Sequence, residues 1–127
     1  MSVTDQYRQA RDVLLTHRTD IEAARKSFDW PRFENFNFAL DWFDKIAASE
    51  ERADQDVLVI LEEDGTRYSA TYAELSARSS QVANWLRNLG VKRGDGIIIM
   101  LDNQYELWDT MLAGFKLGAV LLPTTVM

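Results

Sequence analysis

The chain has 127 residues, 46% of them hydrophobic and 27% charged, which is enough for one domain with a real core. Its formal net charge of −6 argues against nucleic acid or an anionic membrane surface as partner. It has no cysteine, so disulfides, thiolate metal sites and a Cys nucleophile are excluded.

The charge is uneven. Residues 1–30 are balanced, residues 31–66 carry three basic and ten acidic side chains, and residues 67–127 carry six and five. The acidic middle reads as a solvated, turn-rich surface. No apolar run approaches the roughly 18 residues of a membrane span. The N-terminus lacks the apolar stretch of a signal peptide and alternates Asp with Arg, unlike a transit peptide. The expected location is the cytoplasm.

Residues 4–28 read as helix in two pieces. Tyr7, Ala10, Val13 and Leu14 share a face of the first, and Thr19-Asp20-Ile21-Glu22 has the form of a capping box for the second. His17, the only histidine, lies between them with no cysteine or carboxylate cluster beside it and reads as a surface residue. Asp29-Trp30-Pro31 breaks the helix. Phe33, Phe36 and Phe38 then alternate with polar and acidic residues. A base-stacking platform would need basic neighbours that this segment lacks, so the aromatics are expected to pack a leader onto a larger body. Asn37 is placed to cap a helix over 38–48, with Leu40, Phe43, Ile46 and Ala47 facing inward.

Val57-Leu58-Val59-Ile60-Leu61 is the first clear strand, Glu63-Asp64-Gly65-Thr66 carries a hairpin signal, and Arg67-Tyr68-Ser69-Ala70 returns as its partner. Thr71-Tyr72-Ala73-Glu74 is a capping box that opens a long helix with Tyr72, Leu75, Ser79, Val82, Ala83, Leu86 and Leu89 on one face. Gly90 follows as a left-handed cap, and Val91 to Gly96 form a tight polar turn. Ile97-Ile98-Ile99-Met100-Leu101 is apolar throughout, which predicts a strand in the middle of a parallel sheet covered by helices. A helix is expected from Asp102-Asn103, mostly buried through Leu107, Trp108, Met111, Leu112 and Phe115, with Ala113, Gly114 and Gly118 permitting close approach. Ala119-Val120-Leu121-Leu122 is a further strand, stopped by Pro123; the last residues, to Met127, bring no closing element. The fold class is α/β: a helical leader, a β-hairpin and a strand–helix–strand layer.

Neither nucleotide motif survives its context. Gly94-Asp95-Gly96 lacks a third glycine and precedes a strand, whereas a phosphate-cradling loop follows a strand and opens a helix; a Gly-Lys-Ser/Thr loop is missing altogether. The paired carboxylates Glu50–Glu51 and Glu62–Glu63–Asp64 lie in polar turns that would not desolvate them. Composition and spacing therefore assign no catalytic, cofactor-binding or metal-ligating residue.

In order and spacing, however, Thr71-Tyr72-x-Glu74-Leu75, Asn84-x-Leu86, Leu89-Gly90-Val91-x-x-Gly94-Asp95 and Asn103-x-x-Glu106 resemble the N-terminal region of AMP-forming acyl-CoA synthetases. These belong with firefly luciferase and peptide-synthetase adenylation domains to the adenylate-forming family. Phe115-Lys116-Leu117-Gly118-Ala119-Val120-Leu121-Leu122-Pro123 is similar to a second signature of that family. The resemblance covers roughly residues 36–127. Phe36-Asn37-Phe38-Ala39-x-Asp41 and Pro123-Thr124-Thr125 look like the medium-chain branch, while Gly96 departs from the basic residue usual after Gly-Asp.

The resemblance implies a reaction in two steps. A carboxylate, in that branch a fatty acid, attacks the α-phosphate of ATP with Mg2+ to give an acyl-adenylate and pyrophosphate, and the thiol of coenzyme A then displaces AMP. The family's phosphate loop, adenine and ribose contacts, hinge and catalytic Lys all lie downstream of the matched region, so no site residue carries over. The expectation is a leader over 1–35 followed by an incomplete N-terminal part of the large domain over 36–127, inactive alone and binding no cofactor. The alternative is a stand-alone interaction module that binds a partner through its unfinished sheet. Either form is expected to self-associate.

Overall fold

A computed structural model describes residues 1–125; the end of the predicted tail, Val126 and Met127, lies outside the described residues. The chain forms two compact units, one over Met1–Phe36 and one beginning at Asn37.

In the first unit, α1 (Val3–Thr16) starts at a reciprocal cap. The Ser2 hydroxyl accepts from the Asp5 amide at 3.1 Å and the Asp5 carboxylate accepts from the Ser2 amide at 3.3 Å. The second helix, α2 (Ile21–Ser27), is capped by Asp20, whose carboxylate accepts from the Ala23 amide, and not by the expected Thr19 box. A carboxylate at this position satisfies an orphan amide and also meets the positive end of the helix dipole. Phe36 stacks on both Tyr7 and Phe33, with ring centroids 5.1 Å apart in each pair. Phe38 belongs to the second unit and meets Phe115 edge-on, so the aromatic run is divided between the two units.

The second unit opens with a π-helical turn, Phe38–Phe43, continued by α3 (Asp44–Ala47). Asn37 caps it as expected, accepting from the amides of Ala39 and Leu40 at 3.0 and 3.1 Å. The predicted α-helical face is corrected in part: Phe43 is buried as expected, but the Asp44 amide reaches back five residues to the Ala39 carbonyl, and in this π register Ala39 is buried and Leu40 exposed.

Strands β1 (Asp56–Leu61) and β2 (Arg67–Thr71) pair antiparallel with Ile60 opposite Tyr68. In the turn between them the Asp64 carboxylate accepts from the Thr66 amide at 2.8 Å, and Gly65 takes φ +87°. Helix α4 (Tyr72–Asn88) begins at the predicted capping box: Thr71 Oγ1 accepts from the Glu74 amide at 3.2 Å and Glu74 accepts from the Thr71 amide at 2.9 Å. Leu75, Ser79, Ala83 and Leu86 are buried along it. Leu89 is not, since it falls just past the helix end and is 64% exposed.

Strand β3 (Gly96–Ile99) runs parallel to β4 (Val120–Pro123), with Ile98 opposite Leu122, and α5 (Tyr105–Leu117) connects them. The helix starts later than Asp102-Asn103, at a Gln104 cap that makes no side-chain hydrogen bond. It is buried along one side only, through Asp109, Leu112, Ala113 and Gly114, while Trp108 is exposed. A Cβ at Gly114 would collide with the Leu121 side chain, so glycine here lets α5 lie directly on β4.

The expected mid-sheet position of β3 is also corrected. Among the described residues its one strand neighbour is β4. Alternation turns Ile99 inward and leaves Ile98 71% exposed, with Met100 and Leu122 also exposed. The core lies between α4 and α5, with Ala83, Leu86 and Ala113 at one end and Ala39, Phe43, Ala70, Leu75 and Leu112 at the other. This α/β arrangement is a hairpin and a β–α–β layer joined by α4.

Candidate functional site

Three features could in principle carry chemistry. The first is an apolar cavity of about 330 Å³ whose walls include Phe38, Trp42 and Phe43 from the π-helical turn, Leu58 from β1, and Trp108 and Met111 from α5. The π register brings three of its six residues to this one wall. No charged side chain lines the cavity among the described residues, so it offers shape and apolar surface without a reacting group.

The second is a buried polar cluster that joins α3, α4 and α5. Lys116 on α5 is 6% exposed at its side chain, and its Nζ lies 2.9 Å from Asp44 Oδ1. It also donates to the Ser76 carbonyl at 3.0 Å and to Ser80 Oγ at 2.8 Å. Ser76 Oγ donates to the same Asp44 oxygen at 2.7 Å. A serine beside a lysine has the spacing of a nucleophile and its base. Here the ammonium has an acceptor for each of its three protons, and the Ser80 hydroxyl donates to the Ser76 carbonyl at 2.9 Å. The cluster is a structural tie.

The third is the pair of Arg78 on α4 and Asp109 on α5. Arg78 Nε and Nη2 lie 2.8 and 2.7 Å from Asp109 Oδ2, and the guanidinium carbon sits 4.3 Å above the Tyr105 ring. Asp109 is buried, and its Oδ1 has no hydrogen-bond partner among the described residues. The hydrogen bond with Asp109 raises the Arg78 pKa, so the guanidinium stays charged. Burial, reinforced by the Asp109 charge, raises the Tyr105 phenol and keeps it protonated. Arg78, Tyr105, Tyr68, Glu62 and Glu106 line a depression of about 400 Å³, but neither perturbed group is poised to take or give a proton near neutral pH.

The motifs weighed in the sequence fall where turn chemistry puts them. Gly94 takes φ +88°, the Asp95 carboxylate accepts from the Lys92 amide at 2.7 Å, and Gly96 opens β3. No helix begins at this loop, so it does not fit a phosphate. Glu50, Glu51, Glu62, Glu63 and Asp64 are exposed, and His17 sits at the C-terminal cap of α1. Among the described residues no three His, Cys, Asp or Glu side chains converge, and the donor set does not fit Mg2+. Sequence reasoning passed over Arg78, Asp109, Lys116 and Asp44. The available signal was a charged residue inside an apolar stripe, Asp109 between Trp108 and Met111.

Comparison with known proteins places the fold in a family. The model of the family described as AMP-binding enzyme matches residues 45–126, from α3 through β4. An acetyl-coenzyme A synthetase of Thiobacillus denitrificans is 32% identical over 103 residues, covering 81% of this chain and 15% of the relative. The N-terminal subdomain of Klebsiella oxytoca NpsA matches with a TM-score of 0.53 at 34% identity, over 65% of this chain and 20% of that one. A fatty acid AMP ligase from Legionella pneumophila shares the fold, with a TM-score of 0.63 at 18% identity over 68% of this chain and 15% of that one. No helix of the described residues is long and apolar enough to cross a membrane. With well over half of its length inside one family model, the chain belongs to the AMP-binding, adenylate-forming enzyme family.

Proposed function

We propose that this chain is the N-terminal part of an AMP-forming acid–CoA ligase and does not turn over substrate by itself. The carrying observation is the proportion of the match: 81% of this chain aligns with only 15% of an acetyl-CoA synthetase. The reading is supported by the buried polar groups of the second unit: among the described residues Lys116 is taken up by Asp44, Ser76 and Ser80, and Asp109 by Arg78. In this reading residues 1–35 are a leader, and residues 36–127 build the layer that supports a site formed elsewhere. The parent reaction joins a carboxylic acid to coenzyme A through an acyl-adenylate, consuming ATP with Mg2+ and releasing AMP and pyrophosphate. A medium-chain fatty acid is the preferred substrate class, on the likeness of residues 36–41, and the cytoplasm is the proposed location.

The test is direct. The purified chain, incubated with ATP, Mg2+, coenzyme A and short- and medium-chain carboxylic acids, should release no pyrophosphate and form no acyl-CoA above blank. Turnover of any of these acids would overturn the proposal.

A second reading is favoured by one observation. Ile98, Val120 and Leu122 on the two-stranded sheet of the described residues, and Met100 just past the end of β3, are between 49 and 71% exposed. An apolar sheet face with open edges is a pairing surface. In that reading the chain is an interaction module and self-associates through this face. Light scattering at rising concentration should show dimers or larger species that Ile98→Lys disperses. A clean monomer throughout would remove this reading. The mass of the endogenous protein separates the two: a species several times 14.6 kDa means a ligase, and one at that mass means the module.

A further inference from the structure

We draw no further inference here: the strongest candidate, the apolar cavity of about 330 Å³ walled by the Phe38–Phe43 turn, β1 and α5, is an uncovered apolar face, and nothing in the structure shows what covers it.

Discussion

Arg78 places two nitrogens on a single oxygen of Asp109, at 2.8 and 2.7 Å, and leaves the other carboxylate oxygen buried without a hydrogen-bond partner among the described residues. The pair is lopsided in solvent as well, since the Arg78 side chain is 48% exposed and that of Asp109 only 2%. Its worth therefore lies in keeping Asp109 from being an unpaired buried charge.

Arg78→Met should destabilise the chain by about 2 kcal/mol. That is less than the ~3–5 kcal/mol for pairs buried on both sides, because water already screens the guanidinium. Adding Asp109→Leu should recover most of the loss, since the double variant buries no charge at this position. Urea unfolding of the two variants checks this; a double variant weaker than Arg78→Met would contradict it.

Lys116 differs in that its ammonium is buried and has three acceptors. Lys116→Met takes the cation from Asp44, leaving it the Ser76 hydroxyl, and takes the donor from Ser80 Oγ, and should cost about 3 kcal/mol. Lys116→Arg should not rescue it, because a planar fork cannot follow three acceptors arranged around a point charge. The midpoint of urea unfolding reports both, and an arginine variant as stable as the parent would refute the geometric argument.

The hairpin turn should respond to acid. The Thr66 amide holds the Asp64 carboxyl below its ordinary value of 3.8. A folded-state pKa below the unfolded one means that the stabilisation is complete above pH 3.8 and is lost as pH falls through the lower folded value. The Thr66 amide resonance should therefore titrate below pH 3.8, and Asp64→Asn should abolish that titration. A midpoint at or above the ordinary value would show that the turn does not hold the carboxylate.

Much of the fold was legible wherever one side chain meets its own neighbourhood. The Thr71–Glu74 box, the Asn37 cap, the Asp64-Gly65 turn and the Gly90 stop each depend on a few consecutive residues, and the structure has each of them. Phe38–Phe43 was not legible as a π turn, because Ala39 and Phe43 are four apart and fit an α-helical face equally well. The Arg78–Asp109 pair lies 31 residues apart in sequence, and nothing local to either residue names the other. The three isoleucines of 97–99 suggested burial on both faces, yet composition does not say whether a covering layer is present, and Ile98 faces out. For the candidate site, the buried charges that tie the helices together were not legible in composition or local context.

The Asn37 side chain, which caps one helix through its oxygen, also donates through its nitrogen to the Phe115 carbonyl at 2.6 Å, across 78 residues of sequence. The hairpin and the β3–α5–β4 crossover each close within a short span of chain. A link this remote carries a larger loop-closure entropy and should be made after those units exist. Its strength should therefore be felt on the way out of the native state: Asn37→Ala should speed unfolding and leave the rate of folding nearly unchanged. Stopped-flow rates on both limbs of the chevron decide it, and slower folding in the variant would place this clasp in the nucleus instead.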